Sequence, residues 1–282
     1  MGVSRDAEAG SGPEAGGGDC VAFLQWALPR LGRRWAGYRK VRRQVCRRVR
    51  RRAEALGLDS LEAYRAYVER HPEEWTELDA LMGVTISRFH RDRGVFAFLR
   101  SEVMPDLAAE ADGVVRAWSA GCAGGEEPYT LAILWELAGP AAAAGIEVLA
   151  TDVDPTMLHR AAEARYAPSS LRELPPDVRQ SAFAREGGEL VLLGRFRRRV
   201  TFAVHDVRGE PPPGPFDLVL CRYLAFTYFD DAGQRAVLAR LASAMRPGAA
   251  LVIGTHEALP ETADFVGWNS ELGVFRRVTA TG

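Results

Sequence analysis

The run Val114-Val115-Arg116-Ala117-Trp118-Ser119, the turn Gly121-Cys122-Ala123-Gly124-Gly125-Glu126-Glu127-Pro128-Tyr129 and a second apolar run that closes on Thr151-Asp152 decide the fold. They read as strand, glycine loop opening a helix, and strand, which is a nucleotide-binding β-α-β unit. Glycines after the first strand let backbone approach a ligand closely, and a carboxylate at the tip of the second strand is placed for ribose hydroxyls. Glu126 and Glu127 stand at the start of the helix, where a dinucleotide would need bare N–H groups for its pyrophosphate. Two acids there repel a phosphate and suit an ammonium. S-adenosylmethionine has adenine, ribose, an α-ammonium and a sulfonium but no phosphate, so it fits better than NAD, FAD or ATP. The same acids would also favour the helix dipole with no ligand at all.

Outward from this unit the chain continues in alternation. Asp154-Pro155 opens a helix through Met157, Leu158 and Ala161, Val200 to Val204 is a strand ending in His205-Asp206, and Phe216 to Cys221 is another. Gln234 to Met245 is a helix stopped by Arg246-Pro247-Gly248, and Leu251 to Gly254 is a fifth strand. Alternation implies a parallel sheet with ligands at its carboxyl edge. Between Tyr166 and Val200 it lapses, and a hairpin is expected from Leu190-Val191-Leu192-Leu193 and Arg195 to Val204, turning at Gly194.

Ahead of the sheet the pattern is helical. Trp35, Tyr38, Val41, Val45 and Val49 recur at three- and four-residue steps; Asp59-Ser60-Leu61-Glu62 caps a second helix that stops at His71-Pro72; Trp75, Leu78, Leu81 and Met82 mark a third. Between Arg30 and Arg52 there are twelve Arg or Lys and no acid, a positive stripe on the first long helix of a chain whose net charge is −1. Such a stripe is either a solvated face or a dock for an acidic protein surface or a nucleic acid backbone. Residues 1–19, rich in Gly, Ala, Asp and Glu, are expected to be a disordered tail.

The expected organisation is therefore α/β: a tail over 1–19, a small all-α domain over 20–90, and a Rossmann-like S-adenosylmethionine-binding domain over 91–282, which the resemblance described next makes a methyltransferase domain. The four cysteines, Cys20, Cys46, Cys122 and Cys221, include no Cys-x-x-Cys pair, which argues against a disulfide framework or a metal site and fits a reducing cytoplasm. No basic-then-apolar leader opens the chain, and no apolar run reaches the roughly 18 residues of a membrane span. Neither membrane insertion nor a DNA partner is expected.

The segment Ala117 to Tyr129 resembles the signature of the chemotaxis receptor methyltransferases, the CheR family, which esterify receptor glutamates with S-adenosylmethionine. Ser87-Arg88-Phe89-His90-Arg91-Asp92 is similar to that family's Thr-x-Phe-Phe-Arg-Asp/Glu. Ala150-Thr151-Asp152-Val153-Asp154 resembles its second-strand motif, and Pro215 to Arg222 with Tyr228-Phe229-Asp230 its fourth-strand motif. The likeness spans roughly residues 20 to 260. It implies that Thr85, Ser87 and Arg91 touch the cofactor, that Gly121 allows close approach, that Glu127 meets the ammonium and that Asp152 binds the ribose. Asp206 and Val207 would flank the adenine, Cys221 and Arg222 would close the pocket, and Arg91 and Tyr228 would stand beside the transferred methyl. It also implies a protein acceptor, of receptor type, docked on the basic helix.

Two departures touch the acceptor side. The family's Cys-Arg-Asn is Cys221-Arg222-Tyr223, with five residues rather than four before Tyr228, and the second aromatic of Phe-Phe-Arg is His90. A histidine at the methyl-transfer face would serve as base toward a neutral nucleophile, which a carboxylate does not need; the alternative reading is a surface or core substitution. Methylation of RNA or a small molecule would share every cofactor feature, and a non-catalytic sensor would keep Glu127 and Asp152 without needing Arg91 and Tyr228.

Overall fold

The computed structural model describes residues 17–138 and 144–278, and the chain divides into two compact units, Met1–Val84 and Thr85–Gly282. Of the tail expected over 1–19, residues 1–16 lie outside the described part, and Gly17, Gly18 and Asp19 open a helix instead of a tail.

The first unit is all helix: α1 Gly17–Arg30, α2 Trp35–Tyr38, α3 Arg42–Ala55, α4 Leu61–Arg70 and α5 Glu74–Leu81. Ser60 caps α4 by accepting from the Ala63 N–H at 3.1 Å, as its position before an apolar-periodic run requires. Leu24, Leu28, Tyr38, Val45, Val49, Tyr64, Val68 and Leu78 are fully buried and form the core. Two internal ion pairs brace it: Arg33 with Asp79 at 2.7 Å, and Arg52 in a two-pronged pair with Glu74, which also accepts from the Tyr64 hydroxyl at 2.7 Å.

Two expectations fail here. The basic stretch is not one long helix: α1 ends at Arg30, and the chain turns through Gly32 (φ +64°) before α2 and α3 begin. Nor is all of its charge on the solvent side, because Arg33 and Arg52 pair with acids and Arg48 donates to the Gly83 carbonyl. The outward set is Arg30, Arg39, Lys40, Arg42, Arg43, Arg47, Arg50 and Arg51. The second failure is that Cys20 and Cys46 form a disulfide, their Cα atoms 6.0 Å apart across a sequence separation of 26. Spacing gave no sign of it, because packing of α1 beside α3 brings the two together. The cysteine pattern thus carries no argument for a reducing compartment.

The second unit is built on a seven-stranded sheet. Its elements are α6 Arg93–Phe98, α7 Met104–Glu110, β1 Val114–Ala120, α8 Glu126–Ala138, β2 Gly145–Asp152, α9 Pro155–Glu163, β3 Arg165–Tyr166, α10 Pro176–Ala182, β4 Phe183–Glu186, β5 Glu189–Leu192 and α11 Gly194–Arg197. These are followed by β6 Val200–Val204, β7 Phe216–Leu220, α12 Ala225–Tyr228, α13 Asp231–Ser243, β8 Met245–Val252, β9 Phe265–Asn269 and β10 Val274–Arg277. Strand order is β6-β2-β1-β7-β8-β10-β9. The first five strands are parallel, and β10 and β9 close one edge antiparallel. Those last two strands are absent from the sequence reading, β9 being interrupted by Gly267 and β10 being only four residues long. Helix α8 is apolar nearly all round, with Leu131, Ala132, Ile133, Leu134 and Trp135 buried, which suits a helix packed inside the unit rather than on its surface.

A smaller antiparallel sheet, ordered β3-β5-β4, fills the stretch where alternation lapses. Its hairpin turns at Gly187 (φ +55°) and Gly188 (φ +90°), not at Gly194, which instead begins α11. Two successive positive φ values are what a two-residue hairpin needs, and glycine adopts them without a steric penalty. Among the described residues no helix is long and apolar enough to cross a membrane.

Candidate active site

Strand register assembles the site. Ala120 pairs with Thr151, Ser119 with Leu220, and Asp152 with Val204, so the carboxyl ends of β1, β2, β6 and β7 reach one edge together. From β1 the chain turns to β2 and β6 on one side and has β7 and β8 on the other, the switch point at which such sheets bind ligands.

The glycine loop lies across this edge. Gly121 (φ +79°) donates its N–H to Thr151, and a Cβ there would lie 2.7 Å from Leu224 Cδ2, so only glycine fits. Ala123 holds φ +47° and donates its N–H to Asp152 Oδ2 at 2.8 Å, while Asp152 Oδ1 accepts from the Asp154 N–H at 3.0 Å. The Val153 N–H also bonds to this carboxylate, whose two oxygens still keep acceptor capacity. Burial pushes the Asp152 carboxyl above its ordinary value, partly countered by those N–H groups.

Glu127 stands one residue into α8, with Oε1 accepting from the Ser119 hydroxyl at 2.8 Å and Oε2 from Arg222 Nη1 at 3.0 Å. Arg222, its side chain only 2% exposed, also donates to Asp92 Oδ2 at 2.6 Å and to the Arg91 carbonyl at 2.9 Å. Asp92 Oδ2 accepts in addition from the Tyr223 hydroxyl at 2.5 Å. One chain of contacts therefore runs Ser119, Glu127, Arg222, Asp92, Tyr223, linking β1, α8, the end of β7 and the 91–92 segment. Glu126 is buried with its Oε2 lacking a hydrogen-bond partner among the described residues, and burial raises its carboxyl; Ser87 hydrogen-bonds to it.

The remaining expected residues are distributed as follows. Arg91 Nη1 donates to the Ile86 carbonyl at 2.9 Å, and its guanidinium lies over the Tyr223 ring at 3.8 Å. Tyr228 is buried on α12, Val207 is buried, and Thr85 is partly exposed. Asp206 follows β6, and its carboxylate is gripped by Arg208 at 2.6 Å. The Cys221 thiol is fully buried and burial pushes it up, which makes it a wall rather than a nucleophile.

His90 is not poised as a base. Its ring stacks on Phe96 with centroids 5.4 Å apart, and its Nδ1 meets the Glu173 carbonyl at 3.2 Å. Burial holds its pKa below 6.5. A depressed histidine favours folding above its unfolded pKa, and that stability is lost as pH falls through the folded value. His90→Phe should therefore gain thermal stability relative to the parent as pH drops from 7 to 5. An unchanged difference in melting temperature between the two pH values would contradict this.

Three groups escaped the sequence reading. Val153 and Val204 are exposed valines flanking Asp152 at the sheet edge, an apolar shelf beside a ribose-type carboxylate. Asp92 was quoted only as part of a motif. Glu257 gave no signal at all: it is remote in sequence, yet it accepts from the N–H groups of Tyr223 (2.8 Å) and Gly254 (2.6 Å) and from the Thr227 hydroxyl (2.5 Å).

These residues fit S-adenosylmethionine. Asp152 has acceptor capacity for two hydroxyls, the valine shelf suits an adenine, and the acids opening α8 disfavour a phosphate.

Comparison with known proteins agrees. The family described as CheR methyltransferase, SAM binding domain, matches residues 85–271, and the CheR methyltransferase all-alpha domain matches residues 40–81. A chemotaxis protein methyltransferase of Listeria innocua is 33% identical over 189 residues, covering 67% of this chain and 71% of that protein. Its counterpart in Salmonella typhimurium is 31% identical over 224 residues, covering 77% and 76%. A probable chemotaxis protein methyltransferase of Rhizobium etli is 29% identical over 249 residues, covering 83% and 91%.

Proposed function

The chain belongs to the CheR methyltransferase family, and we propose that it methylates glutamate side chains of a protein acceptor, a chemotaxis-type receptor. Its cofactor is S-adenosylmethionine. The observation that supports the glutamate reading is that His90, the histidine expected at the methyl-transfer face, is held by the Glu173 carbonyl and stacked on Phe96 and is not poised as a base. The donors that this reading assigns to the acceptor side are Arg91 and Tyr228, while the Cys221 thiol is fully buried. A carboxylate of pKa about 4.3 is ionised at neutral pH and needs orientation, not deprotonation.

When bound, S-adenosylmethionine supplies a methyl group on a sulfonium, open to in-line displacement. In this reading Asp152 accepts from the ribose hydroxyls, and Glu127 faces the ammonium while Arg222 keeps its carboxylate fixed. Val207, Asp206 and the valine shelf border the adenine, Thr85 and Ser87 lie along the methionyl side, and Gly121 and Cys221 form the floor. Arg91 takes the methionyl carboxylate and stands next to the incoming glutamate, whose oxygen Tyr228 orients; holding both partners supplies most of the rate. The compartment we assign to this activity is the cytoplasm.

Tritium transfer from methyl-labelled S-adenosylmethionine onto a purified receptor signalling fragment tests the proposal. The label should leave as methanol in mild base, as a carboxyl methyl ester must. Base-stable label would sink the glutamate assignment.

The acceptor docks on the outward face of α3 in this reading, supported by exposed Arg43, Arg47 and Arg51. Changing those three to Glu should lower kcat/KM for the receptor fragment at least tenfold at low salt and leave cofactor affinity within about twofold. Parent rates that do not vary with ionic strength would count against this dock.

A further inference from the structure

Tyr223 follows Arg222 just beyond the end of β7, and its backbone, ring and hydroxyl are each constrained by the fold. It holds φ +55°, an unfavourable conformation for an aromatic residue. Its N–H is held by Glu257, and its hydroxyl donates to Asp92 at 2.5 Å and lies 3.0 Å from Thr255 Oγ1. The ring lies against Gly254, where a Cβ would come within 2.6 Å of it, so the glycine leaves room for the ring. It is only partly buried and does not belong to the apolar core. Two guanidiniums lie over the ring, Arg91 with its Cζ 3.8 Å from the centroid and Arg222 farther off at 5.7 Å, so the close one is Arg91.

We infer that Tyr223 is a positioning residue for Arg91: its ring is the platform on which the guanidinium lies, and its bonds to Asp92 and Glu257 keep that platform still. The inference rests on the reading of Arg91 as the group that takes the methionyl carboxylate. An arginine side chain in water samples many rotamers, and a ring fixed beneath it removes most of them before the cofactor arrives. A cation over an aromatic face also gains electrostatic attraction that an aliphatic side chain cannot supply.

A double-mutant cycle on S-adenosylmethionine affinity, measured by calorimetry on the full chain, tests the inference. Arg91→Ala should weaken binding at least tenfold and Tyr223→Leu about fivefold, while the double variant should be no weaker than Arg91→Ala by more than twofold. Tyr223→Phe keeps the ring and should lose less than threefold. Additive losses in the double variant would overturn the positioning role and leave the Arg91 reading standing. Full affinity in Arg91→Ala would overturn the Arg91 reading, and the platform with it. If Tyr223→Leu fails to fold, Tyr223→Phe decides: a loss equal to that of Arg91→Ala would place the effect in the hydroxyl and overturn the platform.

Discussion

Asp152→Ala is expected to weaken S-adenosylmethionine binding by two to four orders of magnitude. A carboxylate bound to two ribose hydroxyls forms charge-assisted hydrogen bonds of about 1.5–3 kcal/mol each, and every 1.4 kcal/mol is about tenfold in affinity. The change also removes the acceptor for the Ala123 N–H, and so frees a loop residue held at φ +47°. Asp152→Asn keeps the shape and one acceptor oxygen, so its loss should be intermediate. Titration calorimetry measures both, with circular dichroism to verify that each variant is folded. A folded Asp152→Ala protein of undiminished affinity would remove the site from this edge of the sheet.

Arg222→Met is expected to give the largest loss of stability. The guanidinium is enclosed, 2% exposed, between Asp92 and Glu127, whose side chains are 26% and 13% exposed. Removing one member of a buried ion pair leaves charge without its partner and typically costs about 3–5 kcal/mol. Here two carboxylates would lose it. Urea unfolding of the parent and the variant should show that difference in free energy, and a change under about 1 kcal/mol would mean that the network is hydrated and contributes little. Asp92→Asn in the same background should recover part of the loss, since it removes one of the two stranded charges.

The parts of the fold that were legible in sequence are those decided by neighbours along the chain. Apolar runs gave β1, β2, β6 and β7, and short capping signals gave the starts of α4 at Ser60 and of α9 at Asp154, where the side chain accepts from Thr156 at 2.8 Å. Glycines placed the loop before α8. The hairpin went to Gly194 because apolar residues on both sides resembled strands; Gly187 and Gly188 were the stronger turn signal, and their paired positive φ values decide the matter. β9 and β10 lack a continuous apolar run, and acquire strand character by pairing, β10 against β8 and β9 against β10.

The sequence by itself determined that a β-α-β unit ends in Asp152, that two acids open the helix inside it, and that the family is the CheR methyltransferases, since each of these rests on short motifs whose own residues are neighbours along the chain. Only the tertiary structure decided which charges are outward on α3, that Cys20 meets Cys46, that His90 is packed and that Arg222 joins Glu127 to Asp92. Arg52 with Glu74, Cys20 with Cys46, His90 with the Glu173 carbonyl, and Arg222 with Glu127 and Asp92 are joined across 22 to 130 positions, and no local periodicity encodes them. They arise when strand register and helix packing bring distant side chains to one place, where burial then makes each charge find a partner.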